Sequence, residues 1–302
     1  MPQRPLLSRV GWTLRDYAKR VWDNSGEDNI FFLAGGIAFN LLLAVVPFVL
    51  LLVAGFGYIL NHSSDVSVRE VSAIVTRLLP PGVTAGDVPI EEFLESVVAA
   101  RGSVGLYGAI LFVWFSTRLF GSLRSVLAEV FDIETDRGII GGKLFDIQVT
   151  VLSTMLLVGY TALTTYLAFA TSRGTELLAE LGVRRDVMGQ VEYSVGRAFA
   201  FLFILLMFFA LYKTLPNRRV RWQTALLASL FTSTLFEIAR NLFTAYVQSF
   251  DPGSIYTGTL TALVVIVIWV YYAAMLFVLG GEVAQVYELR RVRRQQREVF
   301  EE

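Results

Sequence analysis

The chain contains no cysteine and a single histidine, His62. The first absence excludes a disulfide framework, a thiolate metal site and a cysteine nucleophile. The second leaves too little for a histidine metal cluster or a Ser-His-Asp triad. Charge is scarce as well. Only 17% of the 302 residues are Asp, Glu, Lys or Arg, where soluble domains carry about one quarter. The 26 basic residues balance the 26 acidic ones, which excludes a nucleic-acid binder working through excess positive charge. No G-x-x-x-x-G-K-[ST] segment is present, so nothing points to a nucleotide-driven pump. What the chain has instead is apolar length: 55% hydrophobic residues and a mean hydropathy of +0.57. That composition is neither that of a soluble globular enzyme nor that of a disordered chain.

A helix needs roughly 20 apolar residues to cross about 30 Å of hydrocarbon. Six segments meet that length: Ile30 to Leu60, Val104 to Val126, Ile147 to Ala170, Val195 to Tyr212, Trp222 to Val247 and Ile255 to Gly281. They are continuous, whereas barrel strands are about ten residues long with a period of two. The expected fold is therefore all-α, a polytopic bundle of six transmembrane helices. Lys and Arg concentrate in the N-terminal stretch (Arg4, Arg9, Arg15, Lys19, Arg20), in the fourth connection (Lys213, Arg218, Arg219, Arg221) and in the C-terminal stretch. The positive-inside rule then places both termini in the cytoplasm.

The chain divides into a cytoplasmic N-terminal part over 1–29, a transmembrane domain over 30–281 with an outer insertion over 61–103, and a cytoplasmic tail over 282–302. The first 29 residues lack the apolar core and cleavage site of a signal peptide. Leu7, Val10, Leu14, Tyr17 and Val21 recur at helical spacing, so an amphipathic helix is expected there, on the bundle or on the lipid surface. Within the insertion, Val68 to Leu79 and Ile90 to Val98 each form a helical stripe, separated by Pro80-Pro81-Gly82.

Ionisable groups at membrane depth cost at least about 2.5 kcal/mol each and usually face a partner or a watery cavity. Counting along the spans puts Arg118, Arg124 and Glu282 in an inner set, and Arg197, Glu237 and Arg240 in an outer one. Arginines outnumber acids, so a cavity lined by these groups suits an anionic solute or lipid head group. Thr150, Ser153, Thr154, Thr161, Thr164 and Thr165 form a hydroxyl stripe on the third span, lining a polar path or a close helix contact. In the first span, Gly35, Gly36 and Asn40 precede Pro47, which is expected to kink or break the helix. Tyr272 stands near mid-membrane, where its hydroxyl needs a partner.

Several of these segments together resemble one family. Gly-Gly-Ile-Ala-Phe-Asn (35–40) followed by Pro47, Phe-Gly-Ser-Leu-Arg-Ser (120–125) and Leu-Pro-Asn-Arg-Arg-Val-Arg-Trp (215–222) occur in its order. So do Glu237, Arg240, Phe243 and Tyr246, then Ile-Tyr-Thr-Gly (255–258), Trp269, Tyr271-Tyr272 and Gly-Gly-Glu (280–282). The chain resembles the YihY/BrkB family of integral inner-membrane proteins over about residues 20–290. Asn40 departs from the aromatic or small residue expected after Ala-Phe. The resemblance implies a six-helix inner-membrane protein without a settled biochemical activity.

The family also carries the label ribonuclease BN. Phosphodiester hydrolysis needs clustered metal ligands or a paired acid and base. The acids Asp132, Glu134, Asp136 and Asp146 are interleaved with Arg137 and Lys143, as at a solvated helix end. The sequence therefore predicts no enzyme, no metal, no cofactor and no nucleic-acid partner. Two readings remain open. One is a transporter, exporter or lipid-translocating protein, plausible as a homodimer, whose Arg-rich cavity takes an anionic solute or lipid. The other is a non-transporting envelope scaffold that binds partners, with its basic surface on anionic lipid.

Overall fold

The computed structural model describes residues 6–59, 101–134, 138, 140–156, 185–249 and 259–301. Seven helices and no strands are found among them. They are α1 (Leu6–Glu27), α2 (Ile30–Ile59), α3 (Arg101–Val130), α4 (140–156), α5 (Arg185–Thr214), α6 (Trp222–Ser249) and α7 (Thr259–Glu301). Residues 61–100 of the expected outer insertion (61–103), together with Thr161, Thr164 and Thr165, lie outside the described residues, and 101–103 open α3.

Among the described residues three helical stretches are long and apolar enough to cross a bilayer: Tyr107–Val130, Ser194–Thr214 and Leu263–Arg293. The bent pair Arg15–Glu27 and Ile30–Val45 supplies a fourth if counted as one span. Six crossings were expected, and the third expected span lies mostly outside the described residues. The α6 helix reaches full length, but Glu237, Arg240, Asn241 and a run of Ser and Thr dilute its apolar character. Only 17 positions of α4 are described. Large apolar side chains such as Leu111, Trp114, Leu202, Leu206, Leu230, Leu242 and Leu263 stand on the outside of the bundle. That exterior suits hydrocarbon, where a helix satisfies its own backbone bonds.

At the centre runs α7, which packs against α1, α2, α3 and α6; α2 also packs on α3, and α5 on α6. The best-buried region joins the lower part of α3 (Leu127, Val130), the α5–α6 connection (Leu215, Val220) and α7 (Val278, Ala284). Two glycines allow this approach. A Cβ on Gly280 would overlap Thr232 Oγ1 and Tyr212 Oη, and one on Gly281 would meet Val130 Cγ1 at 3.2 Å. Tyr212 fills the gap. Its ring stacks on Phe277 (centroids 5.0 Å apart, planes 7° apart), and its hydroxyl donates to the Phe277 carbonyl at 2.7 Å. With its one proton so used, that hydroxyl accepts from Thr232 Oγ1 at 2.9 Å.

Two chain reversals fall at this same end. Between α1 and α2 the axis turns by 67°. Asn29 makes the turn at φ 50°, a left-handed conformation that Asn tolerates better than most residues. Its carbonyl accepts the first α2 bonds, from Phe32 N at 2.8 Å and Leu33 N at 3.2 Å. The end of α3 is a Schellman motif: Ile133 N donates to Ala128 O at 2.8 Å and Asp132 N to Glu129 O at 3.0 Å. Asp132 takes the left-handed position (φ 50°) that glycine usually fills.

Pro47 does not end its helix, for α2 continues on both sides of it. The break expected at Pro47 is instead found at Asn29, before the span begins. Gly36 approaches Ser122 on α3, while a Cβ on Gly35 would meet nothing within 4 Å. Asn40 turns its amide back to its own helix, donating to Gly36 O at 2.9 Å.

Candidate functional site

The outer set of sequence-predicted charges is brought together on two neighbouring helices. Glu237 on α6 accepts on one oxygen, Oε1, from Arg197 Nε at 3.1 Å and Nη2 at 2.8 Å. The same oxygen accepts from Arg240 Nη2 at 2.7 Å, one turn further along α6. Arg197 comes from α5, so the carboxylate ties the two helices together. The three side chains are partly exposed, Glu237 at 20% and Arg240 at 35%. Ser194, Arg197, Ala198, Phe201 and Glu237 line an open cleft of about 380 Å³ beside them. Below the triad, Trp269 of α7 is wedged between Phe236 (5.3 Å) and Phe243 (5.0 Å) of α6, which fixes the rotation of α6.

The inner set is divided. Arg124 pairs with Asp146 of α4 at 3.4 Å, and its guanidinium lies over Gly142, where any Cβ would collide with it. Arg118 is exposed on α3, on the same side as Leu111 and Trp114. Glu282 meets neither arginine. It is fully buried, and neither of its oxygens receives a bond from an N–H or hydroxyl group. Its neighbour is another acid: the Asp28 carboxyl, at the α1–α2 elbow, lies within hydrogen-bonding range. Asp132 is close by, accepting from Gln285 Nε2 at 2.8 Å, while Gln285 Oε1 accepts from Asn24 Nδ2 at 3.0 Å.

Burial raises the Asp28 carboxyl above its ordinary value of 3.8; the hydrogen bond with Glu282 opposes this, and the charges of Asp132, Glu129 and Glu27 add to the rise. Sequence reasoning treats Asp132 as a solvated helix-end acid and does not single out Asp28. A signal was nevertheless present. In the expected six-span topology Asp28 precedes the first span, Asp132 follows the second and Glu282 follows the sixth, an arrangement that would put all three at one membrane face.

The remaining predicted residues serve local roles. Thr154 donates to Thr150 O and Thr150 to Asp146 O, both at 2.8 Å, so the described part of the hydroxyl stripe bonds to its own helix. Tyr272 is half exposed beside Tyr271, whose hydroxyl donates to Phe31 O at 3.3 Å. No group of three or more His, Asp or Glu among the described residues is arranged to hold a metal ion. The acids proposed by the nuclease label are apart in role, Asp132 on Gln285 and Asp146 on Arg124.

A family model described as Virulence factor BrkB matches residues 21–301. Among curated relatives, a UPF0761 membrane protein from Cronobacter sakazakii is 26% identical over 297 residues, covering 98% of this chain and 96% of its own. Another from Aeromonas salmonicida is 24% identical over 88% of this chain and 87% of its own. A third, from Chlorobium phaeobacteroides, is 27% identical over 86% of this chain, but only 55% of that longer protein is matched. No solved structure matches.

Proposed function

The chain belongs to the BrkB virulence-factor family of membrane proteins, and from that premise we propose that it is a transporter or lipid-translocating protein with no enzymatic activity. In this reading it makes six crossings of a bacterial inner membrane with both termini cytoplasmic. It takes an anionic solute or lipid head group at the cleft lined by Arg197 and Glu237, next to Arg240.

One observation carries the reading: two guanidiniums share a single carboxylate oxygen beside an open cleft. Arg240 gives Glu237 one N–H and keeps further donors in a planar fork suited to phosphate or carboxylate.

The test is translocation of a fluorescent phosphatidylglycerol across sealed proteoliposomes. Wild type is expected to move it, and Arg240→Gln to lower the rate at least tenfold with insertion intact. Equal rates in the two proteins would remove the proposal. A second reading, the envelope scaffold, is favoured by the dry packing of Tyr212, Phe277 and Val278 at the other end. Wild-type liposomes that move no anionic lipid or solute would support that one.

A further inference from the structure

The acid pair at the α1–α2 elbow is independent of the outer cleft and calls for its own explanation. Glu282 is wholly enclosed. A buried carboxylate normally collects N–H donors or a cation, yet neither Glu282 oxygen receives one. The group within reach is a second carboxyl, Asp28. Two ionised carboxylates side by side repel strongly, and the stable arrangement shares one proton between them.

Among the described residues no cation is paired with either carboxyl. On α1 the nearby charged group is Glu27, and at the α3 end there are Glu129 and Asp132. Helix α2 has no ionisable residue along its length apart from the tyrosine Tyr58. The α6 helix approaches this end with Thr232. Cations on adjoining elements are engaged elsewhere: Arg218 pairs with Glu288 at 3.7 Å and covers the Phe131 ring, and Arg290 pairs with Asp16 at 3.4 Å. Asp132 is held by Gln285, which in turn is held by Asn24. This chain of bonds presses the elbow, the α3 cap and α7 together around the two acids.

We propose that the Asp28–Glu282 carboxyl pair is a proton-binding site that latches the α1–α2 elbow to α7. In the loaded state the O–H of one carboxyl donates to an oxygen of the other, and the pair carries one negative charge. Release sends that proton to water and leaves two carboxylates facing each other, beside Asp132 and Glu129. Their repulsion pushes the elbow off α7. The seam at this end then opens by the loss of one proton.

Infrared spectroscopy of the full chain in detergent tests this. At neutral pH, where exposed carboxylates are ionised, the wild type should show a carboxylic-acid C=O band that shifts on exchange into deuterium oxide. Glu282→Gln should lose that band completely. Asp28→Asn removes the anionic partner while leaving the core intact, and should move the pH at which the band disappears. The proposal is overturned by a wild-type spectrum with no protonated carboxyl at neutral pH, or by a band unchanged in Glu282→Gln. It is equally overturned by an unmoved midpoint in Asp28→Asn. The wild-type titration decides the matter even if Glu282→Gln fails to fold.

Discussion

Gly280 of α7 is packed directly on the hydroxyl of Thr232 of α6, with no space between them for a methyl group. Tyr212 closes the same gap from α5. Gly280→Ala should therefore destabilise by about 1–3 kcal/mol, the usual range for overpacking a tight core. Thermal unfolding in detergent reads the effect. Gly35→Ala is the control, since its Cβ meets nothing within 4 Å; it should leave the unfolding midpoint unchanged or raise it, as Ala favours helix by about 1 kcal/mol over Gly.

Tyr212→Phe keeps the stack on Phe277 and removes only the hydroxyl. The Thr232 hydroxyl and the Phe277 carbonyl then lose a partner in a fully buried place. A loss of about 1–3 kcal/mol is expected for groups left unsatisfied. An unfolding midpoint equal to that of the wild type would show that the stack alone closes this end.

Asp132 separates backbone from side chain. Asp132→Gly keeps a residue suited to φ 50° but loses the bond to Gln285; Asp132→Ala loses the bond and also strains the turn. The alanine variant should be less stable than the glycine one by roughly 1 kcal/mol. The reverse order in detergent unfolding would count against the cap.

At the outer triad, Glu237→Gln leaves two guanidiniums close together with no anion between them, whereas Arg240→Gln leaves the Arg197–Glu237 pair. The glutamate variant should unfold at the lower temperature, and added salt should narrow the difference by screening the repulsion. A lower midpoint for Arg240→Gln would reverse the assignment of Glu237 as the tie.

Asp28 sets a pH dependence whose sign follows from linkage. Its folded carboxyl holds a proton more tightly than in the unfolded chain, so the folded state binds more protons between the two values. Stability therefore falls as pH rises above the ordinary 3.8 and through the raised folded value. Asp28→Asn should flatten this slope, as measured by unfolding across that range. An unchanged slope would show that Asp28 does not cause it.

Hydrophobic run length makes the long helices legible, and position counting brings Arg197, Glu237 and Arg240 to one level. Two features escaped. The proline rule allows a kink or a break at Pro47; the helix passes through that residue, and a sharp turn lies at Asn29, a residue with a weaker local signal. Arg124 was grouped with Glu282 by depth alone, because counting along a span gives height and not azimuth. Which face each helix turns to its neighbours is set by Gly280, Gly281 and Trp269, through contacts that no single segment encodes.

Helix α7 runs for 43 residues without interruption, a rod of about 64 Å at 1.5 Å per residue. The oil layer is only about half as thick, so a substantial length of it stands clear of the membrane as a stiff mast. Any rocking of its embedded portion is magnified at the free tip, where a neighbouring molecule could feel the tilt without touching the lipid-bound helices.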